Sequence, residues 1–260
     1  MTTTLAIANQ KGGVAKTTSV ASIGAALVEL GHKVLLVDLD PQACLTFSLG
    51  IDPEDLEISV HHVLTKGPDP TEAIIETEDG VDLLPATIEL AGAEADLLTR
   101  TGREHVIKSA IEALAEDDVD YDWVLLDCPP SLGVLTVAAL TAADGVLIPL
   151  QCETLSHRGV GQLLDTVHDV RRFTNRKLEV WGCCRRCTTA GPTTPAPSSR
   201  RSATPTTSRS SSRRSPRRSS SPRRLPPVVR SSATSRSSKG ARAYREVAAN
   251  LVKRSLRPKA

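Results

Sequence analysis

The segment Lys11-Gly12-Gly13-Val14-Ala15-Lys16-Thr17-Thr18 constrains this chain more than any other, because it follows the apolar run Leu5-Ala6-Ile7-Ala8 and opens a stretch of helical periodicity. A glycine-rich turn between a strand and a helix lets backbone N–H groups curl around phosphate oxygens, and the helix dipole adds positive potential there. In such a loop Lys16 reaches the β- and γ-phosphates and Thr17 ligates Mg²⁺. Lys11, Gly12, Gly13, Val14, Ala15, Lys16, Thr17 and Thr18 are therefore the phosphate-binding candidates, and Lys16 is a catalytic one.

Apolar runs of strand length recur along the first two thirds of the chain: Leu5–Ala8, Val34–Val37, Val81–Leu84, Trp123–Leu126, Val146–Pro149 and Leu178–Trp181. Short runs that are apolar on both faces suit parallel strands covered by helices on each side. Helical periodicity falls between them, over Thr17–Leu30, Ile88–Leu98, Glu104–Leu114, Leu135–Ala142 and Gly159–Phe173, and returns at Ser238–Lys253. The expected fold is α/β, a doubly wound parallel sheet of the P-loop NTPase type, with ligands at the carboxyl ends of the strands.

Charge divides the 260 residues unevenly. Gly182 to Gly240 holds thirteen Arg, one Lys and no acidic residue, so a chain of net charge +2 is an acidic body carrying a basic stretch. No apolar run reaches the length of about 18 residues that a membrane span needs, and Met1–Gly13 lacks the order of a signal peptide. The expected location is cytoplasmic. Cys44, Cys128 and Cys152 lie next to apolar strand ends and are expected to be buried free thiols without disulfides.

Lys11 at the head of the loop makes this segment resemble the deviant Walker A motif of the ParA/MinD ATPases. Val37-Asp38-Leu39-Asp40-Pro41-Gln42-Ala43 is similar to the family's second motif, and Leu125-Leu126-Asp127-Cys128-Pro129-Pro130 to its Walker B strand. Pro85–Ala91 and Pro149–Glu153 resemble the ParA chromosome- and plasmid-partition proteins in particular. The resemblance implies ATP and Mg²⁺ as cofactors, with Thr17, Asp40 and Asp127 around the metal, partly through water, and Asp38 supporting that shell. It also implies an ATP-dependent homodimer in which Lys11, a catalytic candidate with Asp40 and Lys16, reaches the partner's phosphates, non-specific DNA as ligand, a ParB-like protein that stimulates hydrolysis, and a nucleoid-associated location without membrane binding. Asp40 is the candidate that orients the attacking water, the alternative being that it only begins an Asp-Pro turn. Ala15 stands where the family usually has Gly; it costs roughly 1 to 2 kcal/mol if the position needs positive φ and nothing if it is helical.

The expected division is a P-loop ATPase domain over 1–182, an aberrant Arg/Ser/Pro-rich segment over 183–236 that is disordered or misfolded by composition, and a C-terminal helix of the ATPase domain over 237–260. One account of the middle segment is a compensated frameshift. Gly182 to Ser199, written in G/C-rich codons and shifted by one base, reads GVLPTLYDGRTNHARAVL, and Arg213 to Val228 reads PPIPKTIKFAEAPAAG. Both resemble ParA sequence expected at those places, so Cys183, Cys184 and Cys187 are read as by-products of shifted codons with no zinc or redox chemistry. The family's adenine contacts and DNA-binding arginines are then absent from this chain, and its activity is impaired. Two alternatives remain: a MinD-like membrane-associated regulator, against which the ending NLVKRSLRPKA offers few apolar anchors, and a basic nucleic-acid-binding arm on an ATPase. His61, His62 and His157 have no Cys or carboxylate at ligand spacing in the sequence and are read as surface or capping residues, and Cys128 as a buried thiol in preference to a cluster ligand.

Overall fold

A computed structural model describes residues 2–67, 69–116, 119–151, 157–186 and 238–256. The elements run β1 (Thr3–Ile7), α1 (Lys16–Glu29), β2 (Val34–Asp38), α2 (Cys44–Ser48), α3 (Val60–Lys66), β3 (Ile75–Glu76), β4 (Asp82–Leu84), α4 (Leu90–Leu98), α5 (Val106–Glu116), β5 (Trp123–Asp127), α6 (Val134–Ala142), β6 (Gly145–Gln151), α7 (His157–Phe173), β7 (Glu179–Arg186) and α8 (Lys239–Ser255). Among the described residues the strands form one sheet in the order β3-β4-β2-β5-β1-β6-β7. All neighbours are parallel except β3, a two-residue antiparallel edge piece on β4. The expected doubly wound fold is what the chain adopts.

Side-chain alternation along the strands explains why both faces are covered. Leu5 and Ile7 of β1, Val34 and Leu36 of β2 and Trp123 and Leu125 of β5 enter one core with Val20, Ile23 and Leu27 of α1 and Ala248 and Leu251 of α8. Their neighbours Ala6, Leu35, Val37, Val124 and Leu126 enter the other, with Leu90, Leu114, Ala138 and Leu163 from α4 to α7. A strand buried on both faces must be apolar at successive positions, which is why these runs read as unbroken.

The C-terminal helix docks on the P-loop helix. Ser238 caps α8 by accepting from the Ala241 N–H at 3.0 Å. Tyr244 lies 3.1 Å from Ser19 Oγ, hydroxyl to hydroxyl, and the Arg245 guanidinium pairs with Glu29 at the far end of α1, with one N–O distance of 2.9 Å. Arg254 donates to Glu179 of β7 at 3.0 Å, so α8 also fastens the edge of the sheet.

β7 pairs with β6 through Arg186, four residues beyond the expected boundary at Gly182. The register slips between Val146 and Leu147, leaving Trp181 as the extra residue of a bulge. Its indole lies over Gly145, where a Cβ would stand 2.5 Å from the ring. Gly145 is there because that close approach leaves no room for a side chain.

The helices expected by periodicity are present with ends shifted by a few residues. Two short ones, α2 and α3, were not expected, and neither is long enough for periodicity to separate from a loop. Cys128 is buried and free, as expected. Cys44 is exposed, which corrects the expectation for it: the residue opens α2 after a turn, with the apolar side of that turn occupied by Ala43 and Leu45. Cys152, the side chain of His157 and most of the segment 183–236 lie outside the described residues.

Candidate functional site

The phosphate-loop candidates form a single turn between the end of β1 and the start of α1. Gly13 has φ +74° and Ala15 φ 67°, ψ 35°, so left-handed residues stand two apart in the loop, a backbone pattern suited to anion-binding turns. A Cβ at Gly12 or Gly13 would meet nothing within 4 Å, so the space above the loop is open. Val14 is buried and anchors the loop from below, and Lys16, 7% exposed, is the first residue of α1. Thr17 and Thr18 follow it in the first turn and are partly buried. The condition set for Ala15 is met on its costly side: the position is left-handed, and Ala15 O accepts from the Ser19 N–H at 2.9 Å to start the helix.

Two carboxylates flank the loop because β2 and β5 are adjacent parallel strands. Asp38 and Asp127 are register partners at their carboxyl ends, with Ile7 of β1 beside Asp127 on the other side. Asp38 is fully buried and fully engaged: one oxygen accepts from the Asp40 N–H at 3.1 Å, the other from the Thr46 N–H and hydroxyl at 2.9 and 2.8 Å. Burial outweighs those hydrogen bonds and lifts its carboxyl to about 6.

Asp127 is different. It is 1% exposed, and neither carboxyl oxygen has a hydrogen-bond partner of good geometry among the described residues. Burial first, then repulsion from Asp38, pushes its carboxyl up to about 8, while Thr17 and Lys16 beside it pull the other way. A buried carboxyl that makes no hydrogen bond of good geometry, beside the Thr17 hydroxyl at the foot of a phosphate-binding turn, fits a cation-binding role, because an oxygen-loving divalent ion would satisfy both the charge and the lone pairs.

Asp40 is partly buried at the mouth of the same region. Its side chain accepts from the Gln42 N–H at 3.0 Å and its carbonyl from the Ala43 N–H at 2.8 Å, so the Asp-Pro turn is present whatever else the residue does. The turn leaves one carboxylate oxygen for another partner.

Two residues of this region escaped the sequence reading. Asn9, 3% exposed, donates to the Pro149 carbonyl at 2.6 Å and accepts from the Lys11 N–H at 3.0 Å, tying the start of the loop to β6. Thr46, fully buried, relays Asp38 to the Ala86 N–H at 3.0 Å. Asn two residues before the head of a glycine loop is a weak signal, and a Thr inside a five-residue helix carries none.

Comparison with known proteins agrees with this geometry. A family model described as an AAA domain matches residues 2–180. The sporulation initiation inhibitor protein Soj of Bacillus subtilis is 46% identical over 179 residues, 68% of this chain and 70% of Soj. The chromosome partitioning protein ParA of Caulobacter vibrioides is 44% identical over 179 residues, covering 68% and 67% of the two chains. Among solved structures, a Mycobacterium smegmatis protein described as cobyrinic acid a,c-diamide synthase, with bound ADP and magnesium, superposes with a TM-score of 0.68 at 62% identity over 71% of this chain and 74% of its own. The same protein with an ATP analogue and magnesium gives 0.76 at 47% identity over 98% and 96%. Lengthening the superposition thus adds few identities, so the similarity is concentrated in the part that the shorter one covers. The chain belongs to the ParA/Soj family of AAA-domain P-loop ATPases.

Proposed function

We propose that this protein is a partition ATPase of the ParA type, in which Mg·ATP binding brings two subunits together on DNA and a ParB-like partner stimulates hydrolysis and release. The observation that carries the reading is the buried Asp127 carboxyl, which makes no hydrogen bond of good geometry among the described residues and lies beside the Thr17 hydroxyl and Lys16. Gly12, Gly13 and Val14 present backbone donors to the phosphates, Lys16 offsets their charge from the helix start, and Lys11 serves the partner subunit's nucleotide. Thr17 and Asp127 would hold the metal, and Asp38 holds the segment 40–46 in place through Asp40 and Thr46. Bound Mg²⁺ would neutralise charge on the β- and γ-phosphates. Asp40 orients the attacking water with the oxygen that its turn leaves free.

On this reading the family's DNA-binding arginines belong to the sequence replaced after Trp181. A compensated frameshift over about 183–231 accounts for the concentration of identities before that point. Mg²⁺-dependent ATP hydrolysis, size-exclusion with light scattering, and co-sedimentation with DNA or with anionic liposomes test the whole scheme. The expected result is ATP turnover, nucleotide-dependent dimers and ATP-dependent DNA pelleting that are weak in this chain and strengthened when the reading frame over 183–231 is restored. Asp40→Ala should keep ATP binding and dimerisation while losing turnover. ATP-dependent liposome pelleting without DNA pelleting would favour the MinD-like regulator. DNA binding independent of ATP and steeply weakened by salt would favour the basic arm.

A further inference from the structure

The start of α3 is stitched to the segment after β4, and this brings together three ligands that lie far apart in the sequence. The Val60 N–H donates to Pro85 O at 2.8 Å, and Ser59 Oγ lies 3.3 Å from Thr87 Oγ1. Glu89, two residues further on, is thereby carried over the exposed side of α3. Its Oε2 lies 3.6 Å from His61 Nδ1 and 3.8 Å from His62 Nε2. All three ligand atoms fall within 4.8 Å of one another.

We propose that His61, His62 and Glu89 form a binding site for a divalent cation of the zinc class, separate from the magnesium at the phosphate loop. Consecutive residues on a helix point about 100° apart, so two adjacent histidines converge on one ion only if their rings reach different distances. His61 offers its near nitrogen and His62 its far one, with the rings edge to face at 5.1 Å and 75°. His61 Nδ1 is buried and makes no hydrogen bond, which leaves its lone pair or proton unused. The other nitrogen of His62 lies 3.4 Å from Ser59 Oγ, the kind of outer contact that fixes a ligating ring.

Metal–nitrogen and metal–oxygen distances near 2.0–2.2 Å place tetrahedral ligand atoms about 3.3–3.6 Å apart, so a side-chain rotation closes the observed spacing. Beside the cluster, Thr65, Lys66, Asp96 and Arg100 help line a cavity of about 230 Å³, room for water as a fourth ligand. Two imidazoles and one carboxylate suit zinc, copper, nickel or cobalt, whereas Mg²⁺ takes oxygen ligands.

Zinc titration against a chromophoric chelator tests this on the full chain, stripped with a chelator and free of nucleotide, with accessible thiols alkylated to remove Cys183, Cys184 and Cys187 from competition. The expected result is one equivalent of Zn²⁺ per chain, with affinity reduced tenfold or more by His61→Ala and by Glu89→Gln. Glu89 is 59% exposed in its side chain, so Glu89→Gln leaves the fold intact. Co²⁺ substitution gives a second readout: visible bands of tetrahedral intensity in the wild-type chain, lost in Glu89→Gln while far-ultraviolet dichroism is unchanged. No zinc retained by the wild-type chain, or equal affinity in His61→Ala and Glu89→Gln, overturns the site.

Discussion

Replacing Ala15 by Gly should stabilise the protein, although it removes a methyl group and loosens the unfolded chain. Ala15 sits at φ 67°, ψ 35°, in the left-handed region that costs a non-glycine residue roughly 1–2 kcal/mol. Gly removes that cost but gives back about 0.4–1 kcal/mol through the larger entropy of its unfolded state. The side chain is only partly buried, so little packing is lost. The net expectation is a gain of about 0.5–1 kcal/mol, which moves the urea midpoint up by roughly 0.3 M with the slope unchanged. Ala43 supplies an internal contrast. It has nearly the same backbone, φ 50° and ψ 33°, but its methyl is 3% exposed in the core, so Ala43→Gly forfeits about 0.8 kcal/mol of burial and gains nothing net. Because the strain is present without nucleotide, Ala15→Gly should raise stability and leave ATP affinity unchanged. Unchanged stability with tighter ATP binding would refute the reasoning, since it would mean that the loop takes this shape only around phosphate.

In the absence of metal, stability should fall as pH rises from about 4 to about 8. Asp127 has a folded carboxyl raised to about 8 from an ordinary 3.8, so the folded state holds a proton that the unfolded chain has released. Asp127→Asn should flatten that slope above pH 6, where Asp38 no longer contributes, and abolish Mg²⁺-dependent turnover; urea melts in a chelator across the range check it. Gly145→Ala should cost about 1–3 kcal/mol by driving a Cβ against the Trp181 ring, measured as a lowered denaturation midpoint. Leu251→Ala, at a position 4% exposed between α8 and α1, should cost about 2–4 kcal/mol in the same assay. The gene should show a base missing near the Gly182 codon; codons that cannot be shifted into the family-like peptides would end the frameshift account.

The parts of the fold that could be read directly from sequence were those written in period. Six strands stood out because burial on both faces forces unbroken apolar runs, and α1 because Val20, Ile23 and Leu27 repeat on one face. β3 escaped because a two-residue edge piece has no pattern, and α2 and α3 because five and seven residues hold too few turns. Within the site, Lys16, Thr17 and Asp127 were legible from residue type and position relative to a strand end. That Asp38 is spent on Thr46 while Asp127 makes no hydrogen bond of good geometry was not, because this depends on which side chains the α2 turn brings back. The histidines show the same limit: Glu57 lies four residues before His61 in the sequence, but the carboxylate that reaches both rings is the distant Glu89, brought over by the Val60–Pro85 contact.

The bulge at Trp181 has an optical consequence. The chain holds two tryptophans, and their rings stand edge to face at 6.3 Å, one from the centre of the sheet and one from its last described strand. The guanidinium of Arg254, arriving on α8, lies 5.6 Å from the outer indole. All of the protein's indole emission therefore originates at the seam where β7, the sheet and the returning C-terminal helix meet, and its wavelength and quenching report directly on whether the chain closes correctly after the stretch in which its sequence departs from its relatives.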